Sequence, residues 1–401
     1  MPYITSLLQD KDQNKLSYGK TIFIGLGFLI IMATWSLYNA FVPIFLKRFV
    51  AGETLIGLIM TLDNIAAITL QPYFGALSDN TYSRFGHRMP FMIIGIPIAA
   101  LFFALIPLAD NFWLLLVFII IMNLAMSVFR SPTVALMPDL TPSPLRSKAN
   151  GVVNFMGGVG AILTYGLAAR LYELNPAFPF ILFSLLLLVI LLAFLMKLRE
   201  PERPRTGEQI KIWQIVGEIF RTRERRILYI LMAIFFWFFG YAGVETFFTL
   251  YGRNYLLIKE STAAQALLFF SLTFVLFAIP SGILAGKYSR KKIITIGIIG
   301  LIVVFSGLAL TSDLLVIRLV LLIGGIFWAF ININSYPMVV DQAGDKIGAY
   351  TGVYYFFSTI PAILAPVFVG FLIERLGYGI LFISAILSFM LALFFILKIK
   401  D

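Results

Sequence analysis

The chain alternates between long apolar stretches and short polar segments. A helix that spans a bilayer needs roughly 20 mostly apolar residues, because each residue advances about 1.5 Å along the axis. Apolar residues make up 60% of the chain and charged residues only 13%, whereas a soluble domain is about half apolar and a quarter charged. The pattern therefore predicts an all-α membrane protein with twelve spanning helices, at residues 21–46, 53–78, 90–109, 112–138, 148–172, 177–197, 227–252, 261–286, 291–310, 314–340, 347–374 and 377–398.

Basic residues are distributed unevenly between the predicted loops. The net charge of +11 could indicate a nucleic-acid partner, but 23 of the 31 Lys and Arg fall in segments that one topology places on a single side. Membrane proteins retain positive charge on the cytoplasmic face. We therefore expect both termini in the cytoplasm, a multi-pass location in the plasma membrane and no nucleic-acid partner. The first twenty residues are polar, which predicts no signal peptide.

One long hydrophilic segment, residues 198–226, interrupts the apolar pattern. It predicts a cytoplasmic linker between an N-terminal half at 1–197 and a C-terminal half at 227–401. Residues 212–220 within it have the composition of a short amphipathic helix at the membrane surface. The halves resemble each other, because GALSDNTYSRFGHR and PTVALMPDL in the first are echoed by SGILAGKYSRKK and NSYPMVVDQ in the second. Two parallel repeats with a site between them are an arrangement that supports alternating access.

The loop after the second predicted span carries a specific string, GALSDNTYSRFGHRMP. It resembles the signature loop of major facilitator transporters, which implies the major facilitator fold of two six-helix halves. Its physics can be stated independently, since an Asp beside arginines that are costly to bury in lipid can form an ion pair that opens in one orientation. The arginines could instead serve only to fix the topology. We predict a cytoplasmic gate formed by Gly75, Asp79, Arg84, Arg88, Asp139, Arg146 and Asp341.

A narrower resemblance covers about a hundred residues of the N-terminal half. The residues Gln71, Pro72, Gly75, Ser78 and Asp79, followed by SRFGHRMPF and later by RSKANGVVNFMGGVG, are similar to the sucrose-proton symporters and the glycoside-pentoside-hexuronide cation symporter group. The resemblance implies proton-coupled uptake of a sugar or glycoside. The chain departs from the plant members of the group, because its fourth predicted span contains no acidic residue. The coupling residue must therefore lie elsewhere.

Three of the ionisable residues inside the predicted spans are candidates for proton coupling. They are Asp63 in the second span, Arg130 in the fourth and Glu245 in the seventh. An ionised side chain at the centre of a spanning helix costs at least about 2.5 kcal/mol, so each requires an explanation. Asp63 could act as a protonation switch, or it could form a permanent ion pair with Arg130. Glu245 could be the coupling residue, or it could extend toward the outer interface as a snorkelling side chain.

A second set of polar and aromatic residues lies near the middle of the predicted spans. Sugars are bound by flat apolar rings together with amides that satisfy their hydroxyls, although such amides also join helices. We predict a substrate cavity lined by Trp35, Tyr38, Asn39, Asn64, Asn123, Asn154, Tyr241, Gln265, Trp328, Asn332, Asn334, Tyr336, Tyr354 and Tyr355.

The residue inventory argues against several other functions. One His and no Cys leave no metal-ligand cluster and no nucleophile-base pair, and the chain has no Walker-type phosphate loop. We therefore expect no enzymatic activity, no metal and no cofactor other than a coupling ion, H⁺. The expected protein is a monomer in the lipid bilayer with a small-molecule substrate. Sodium coupling, proton-driven export of amphipathic compounds and a transport-inactive sensor or scaffold stay open as alternatives.

Overall fold

The computed structural model describes residues 16–142, 145–198, 200, 225–342 and 347–399. Within those residues, twelve helices are long and apolar enough to cross a membrane. They are α1 (Tyr18–Lys47), α2 (Glu53–Asp79), α3 (Met89–Leu108), α4 (Phe112–Leu140), α5 (Lys148–Leu174), α6 (Ala177–Lys197), α7 (Arg225–Asn254), α8 (Glu260–Tyr288), α9 (Arg290–Leu310), α10 (Leu314–Val340), α11 (Ile347–Leu376) and α12 (Ile380–Leu397). The predicted amphipathic helix at 212–220 lies outside the described residues.

The prediction of twelve spanning helices is confirmed. The bounds of α6 and α10 coincide with the predicted 177–197 and 314–340. The predicted twelfth span at 377–398 begins too early, because Gly377 has a φ of +81° and separates α11 from α12. A positive φ is accessible to glycine without steric cost, and it ends the helix there.

Two of the spanning helices are not regular. Helix α2 consists of Glu53–Met60 and Leu62–Asp79, with a turn at Thr61 between them. Helix α5 contains a π-helical turn at Thr164–Ala168. The Thr164 hydroxyl lies 2.9 Å from the carbonyl oxygen of Ala33 in α1 and 3.2 Å from that of Gly160 in its own helix. Such wide turns arise where a side chain supports a locally irregular hydrogen-bond ladder.

The chain divides by its internal contacts into two compact units. Unit 1 contains the described part of residues 1–37 and 69–206. Within it, α5 packs tightly on α1, because a Cβ at Gly160 would overlap the carbonyl oxygen of Leu29. Small residues at such crossings allow two helix backbones to approach each other closely.

Unit 2 contains residues 38–68 and the described part of 207–401. The first part of α2 packs on α11, because a Cβ at Gly57 would overlap the carbonyl oxygen of Pro366 and a Cβ at Gly370 would overlap that of Glu53. Residues 38–68 precede the predicted linker, so unit 2 does not follow the predicted boundary at 198–226. The division of the sequence into two halves stays a prediction.

Candidate functional site

Glu245 provides a carboxylate in the interior of unit 2. It lies on α7, is half-buried and accepts hydrogen bonds from the side chains of Asn39 and Tyr241. Asn39 comes from the second part of α1, and Tyr241 lies one helical turn before Glu245. In the part of the chain that the structure describes, no lysine or arginine pairs with this carboxylate. A carboxylate in this setting is stabilised by polar donors alone and becomes neutral most simply by binding a proton.

Stacked aromatic rings adjoin the Glu245 carboxylate. The ring of Tyr241 is parallel to that of Trp328 on α10, with centroids 4.2 Å apart and an interplanar angle of 2°. Phe238, one turn earlier on α7, meets Trp328 edge-on at 5.7 Å. Tyr241 therefore contacts the carboxylate with its hydroxyl and the indole with its ring. The cluster of Asn39, Tyr241, Glu245 and Trp328 is called the carboxylate site below.

A second aromatic group lies farther along α10. Asn332 and Tyr336 follow Trp328 at intervals of four residues, which places all three on one side of the helix. Tyr336 contacts Tyr354 on α11 at a centroid distance of 5.3 Å, and Tyr354 contacts Tyr355 at 5.4 Å. Several predicted cavity residues are thus brought together within unit 2.

Other predicted cavity amides are engaged within or between helices. Asn334 donates to the Ser281 hydroxyl at 2.9 Å and to the carbonyl of Phe330 at 3.0 Å, so it joins α10 to α8. Asn154 donates to the carbonyl of Asn150 on its own helix at 2.8 Å. Of the other predicted cavity residues, Asn123 is buried on α4, Tyr38 is buried on α1 and Gln265 is half-buried on α8.

Asp63 and Arg130 belong to different units. Asp63 follows the break in α2 and accepts hydrogen bonds from the backbone and the side chain of Asn64, at 2.6 and 2.8 Å. The Arg130 guanidinium lies 5.5 Å from the centroid of the Trp35 ring, a cation-π contact within unit 1. The predicted ion pair between Asp63 and Arg130 stays a prediction.

Three of the predicted gate residues, Gly75, Asp79 and Asp139, contact a fourth, Arg88 of unit 1. Arg88 is buried, and its guanidinium pairs with Asp79 and with Oδ2 of Asp139, the latter at 2.9 Å. It also donates to the carbonyl of Gly75 at 3.2 Å and to the Ser78 hydroxyl. A planar guanidinium suits this role because it directs several donors at once.

The other gate candidates have contacts of their own. The Arg84 guanidinium lies 4.7 Å from the centroid of the neighbouring Phe85 ring, and Arg146 donates to the carbonyl of Thr141 at 3.3 Å. In unit 2, Asp341 pairs with Arg290. The echo between the two halves that the sequence suggested therefore has a counterpart in an acid-arginine pair within each unit.

Glu200 adds a carboxylate that the sequence did not point to. It follows α6 and accepts hydrogen bonds from the backbone N–H groups of His87, Arg88 and Met89, at 2.6, 2.8 and 2.9 Å. These groups begin α3, and the N-terminus of a helix attracts negative charge. Gly86 has a φ of +110°, and a Cβ there would clash with Glu200. The sequence offered no signal because the partners are more than a hundred residues apart.

A group of polar residues around the N-terminal end of α2 was also not predicted from the sequence. Glu53, at the start of α2, pairs with Lys47 and accepts a hydrogen bond from the Tyr378 hydroxyl at 3.0 Å. Asn254 at the end of α7 donates to that hydroxyl at 2.8 Å. Glu374 on α11 accepts from the hydroxyl of Thr54 at 2.5 Å. The sequence feature that could have indicated this group is Glu53 itself, an acidic residue directly after Gly52 at the start of an apolar stretch. These residues are called the α2–α11 junction below.

Ionisation of Tyr378 is disfavoured at this junction. Burial raises the pKa of its hydroxyl above the usual value, and the negative charge of Glu53 raises the pKa further. The hydroxyl therefore stays protonated and remains a donor to Glu53 throughout the physiological range.

Comparisons with known proteins agree with this architecture. The model of the Major Facilitator Superfamily matches residues 24–366 and 255–401. An uncharacterized MFS-type transporter of Methanocaldococcus jannaschii is 24% identical over 376 residues, which cover 91% of each chain. The class B tetracycline resistance protein of Escherichia coli is 25% identical over 336 residues, or 81% of each chain.

Solved structures show the same fold. A crystal structure of the nucleoside transporter NupG has a TM-score of 0.78 at 13% identity, covering 95% of this chain and 100% of that one. A bacterial homolog of the human lysosomal transporter Spinster, in an inward-facing and occupied conformation, has a TM-score of 0.73 at 13% identity, covering 96% and 97%. With a family model that spans most of its length and the fold to match, this multi-pass membrane protein belongs to the Major Facilitator Superfamily.

Proposed function

We propose that the protein is a proton-coupled symporter that takes up a sugar or glycoside by alternating access, with Glu245 as the residue that binds the coupling proton. The observation that carries the proposal is the environment of this carboxylate, which has two polar donors and no basic partner among the described residues. A negative charge inside a spanning helix is unfavourable, so proton binding and release can be linked to whether the site is hydrated. Asp63 and Arg130 are the second candidates for coupling.

The aromatic part of the carboxylate site supports a ring-shaped substrate. Tyr241 and Trp328 provide flat apolar surfaces, and Asn39 provides an amide within the same cluster. Sugar rings present C–H faces to aromatic rings and hydroxyls to amides. The resemblance of the N-terminal half to sugar symporters points to the same substrate class.

The orientation and the assembly form part of the proposal. The excess of Lys and Arg in alternate loops supports cytoplasmic termini in the plasma membrane. In that orientation Arg88 and Arg290 lie at the cytoplasmic end, and the α2–α11 junction lies at the external end. We propose that the transporter works as a monomer.

Proton-driven export of an amphipathic compound is the second candidate function. It is favoured by the similarity to a tetracycline resistance protein over 336 residues. A half-buried carboxylate beside stacked aromatic rings also suits such compounds. Import and export differ in the direction of substrate movement relative to the proton gradient.

Uptake into proteoliposomes tests the proposal. Labelled sucrose, maltose and a panel of monosaccharides are offered with an inward proton gradient, with and without a protonophore. We expect protonophore-sensitive accumulation of one sugar. In Glu245→Gln we expect accumulation to be lost and substrate exchange to be kept, because a neutral side chain resembles the protonated state. Glu260→Gln, which changes an acid paired with Arg253 at the end of α7, is the matched control.

Two outcomes contradict the proposal. Gradient-driven accumulation by Glu245→Gln would exclude Glu245 and make Asp63→Asn the next variant. Absence of accumulation across the panel would exclude sugar uptake. Repeating the assay with a sodium gradient, and with substrate loaded inside the vesicles, then separates sodium coupling from export.

A further inference from the structure

Four hydroxyl-bearing residues in the first half of α11 lie on one side of the helix. At 3.6 residues per turn, Thr351, Ser358 and Thr359 lie within about 60° of Tyr355 around the helix axis. The residues Leu364, Phe368 and Phe371 lie about 160–220° away from Tyr355, and all three are exposed and apolar. In its second half the helix therefore has an apolar exposed face that suits lipid, and on the opposite side Pro366 and Gly370, about 20° and 60° from Tyr355, pack on α2. The hydroxyl groups of the first half lie on the same side of the helix as this contact.

Tyr355 is exposed on the hydroxyl-bearing face. Its side chain is 60% exposed in the whole chain, although its ring contacts Tyr336 and Tyr354 at 6.3 and 5.4 Å. A side chain this exposed, on the side of the helix opposite to the lipid-suited face, is expected to face water. The protein therefore presents an aromatic ring to solvent from within a spanning helix.

The hydroxyls beside this ring are already ordered. The Tyr336 hydroxyl lies 3.0 Å from that of Thr351, and the Tyr354 hydroxyl is hydrogen-bonded with that of Ser335. The group thus combines a solvent-facing ring with fixed polar groups at its edge. Flat rings with adjacent hydroxyls are the elements that recognise a hydroxylated ring.

We propose that Tyr336, Tyr354 and Tyr355, with Thr351, form a second binding subsite for a sugar ring, separate from the carboxylate site. The subsite rests on the proposed function, because it would hold the same substrate at another stage of its passage. Tyr336 follows Trp328 by eight residues on α10, which is about 12 Å along the helix axis. One sugar ring at the carboxylate site does not extend that far, so the two groups act as successive positions for a ring.

The absence of cysteine allows a direct test of this face. The chain contains no Cys, so each single substitution gives one thiol. We expect Tyr355→Cys in proteoliposomes to react with a charged methanethiosulfonate reagent. The sugar of the panel that is accumulated should slow this reaction at least about threefold. Phe368→Cys is the matched control, since Phe368 is 52% exposed on the opposite face of the same helix and should not react.

Transport kinetics provide the second measurement. Tyr355→Ala should raise the KM for uptake about five- to tenfold and leave protonophore-sensitive accumulation at saturating sugar intact. Tyr355→Phe should keep a KM close to that of the wild type, because it retains the ring, and so should Phe368→Ala. This pattern differs from that of Glu245→Gln, which loses accumulation itself.

The outcomes separate the subsite from the proposed function. If Tyr355→Cys does not react, or if it reacts and the accumulated sugar does not protect it, the subsite is refuted although the transporter assignment stands. If no panel sugar is accumulated and none protects Tyr355→Cys, both proposals fail. Protection of Tyr355→Cys together with a raised KM in Tyr355→Ala alone would support the subsite.

Discussion

Replacing Tyr378 by Phe removes one hydroxyl from the α2–α11 junction and leaves the ring in place. The hydroxyl donates to Glu53, whose side chain is only 9% exposed, and accepts from Asn254. In alternating access the two six-helix halves move relative to each other. Residues 38–68 belong to unit 2 and contact α11, so the proposed alternating access between the predicted halves would have to break these contacts when this end opens.

The size of the effect follows from the bond that is lost. A hydrogen bond to a charged group contributes about 1.5–3 kcal/mol. The lower value applies because Glu53 keeps Lys47 as a partner, and because Asn254 is solvent-exposed and can bind water instead. A change of about 1.4 kcal/mol is a factor of ten in an equilibrium constant. We therefore expect Tyr378→Phe to increase the population of the open state about tenfold. The raised pKa of Tyr378 keeps its hydroxyl protonated, so the effect should not change between about pH 6 and 8.

A single buried thiol reports this opening. Met60 is 3% exposed. It lies one turn after Gly57 and two turns after Glu53, on the side of α2 that packs on α11. The reaction of Met60→Cys with a water-soluble reagent should be about ten times faster when combined with Tyr378→Phe. Tyr255→Phe is the control, because it removes a hydroxyl at the same end that makes no hydrogen bond to Glu53. An unchanged rate with Tyr378→Phe, or an equal increase with Tyr255→Phe, would refute the reasoning.

Two further predictions concern unit 1. Gly160→Ala should lower the free energy of unfolding by about 1–3 kcal/mol, because a Cβ meets the backbone of Leu29, whereas Gly151→Ala, with open space around it, should not destabilise the fold. Thermal unfolding in detergent measures both, and equal midpoints would contradict the close packing of α1 and α5. Glu200→Ala should destabilise by about 1–2 kcal/mol through loss of the negative charge at the start of α3. Glu200→Gln should recover part of that loss, and a midpoint for Glu200→Ala equal to that of the wild type would show that the three hydrogen bonds contribute nothing.

The helices were predictable from the sequence because their length and apolar character are imposed by the bilayer. All twelve were located from the pattern of apolar stretches along the chain, with ends within a few residues of those in the structure. The break at Thr61 and the π turn in α5 were not predictable, since the latter is supported by Ala33 on another helix. Local sequence carries no information about such a partner.

The candidate site was predictable as a set of residues but not as an arrangement. Asn39, Tyr241, Glu245 and Trp328 were each identified because polar and aromatic residues within spanning helices require an explanation. Their arrangement in one cluster depends on contacts between α1, α7 and α10, which a single sequence does not reveal. Glu53 and Glu200 were missed for a related reason, since an acid at the end of a helix is ordinary until its distant partners are known.

The π turn in α5 determines which way the residues that follow it face. A π turn holds one residue more than an α-helical turn, so deleting one residue from Thr164–Ala168 would restore a regular helix. That deletion would leave the following segment, Ala169–Leu174, facing the same way, whereas an α-helical turn with no deletion would rotate it by about 100°. After that rotation Ala169 and Tyr172, now buried, would turn away from the interior of unit 1. The π turn thus keeps the buried residues after it directed at the interior of unit 1, and a regular α5 of the same length would need compensating changes in the residues that follow.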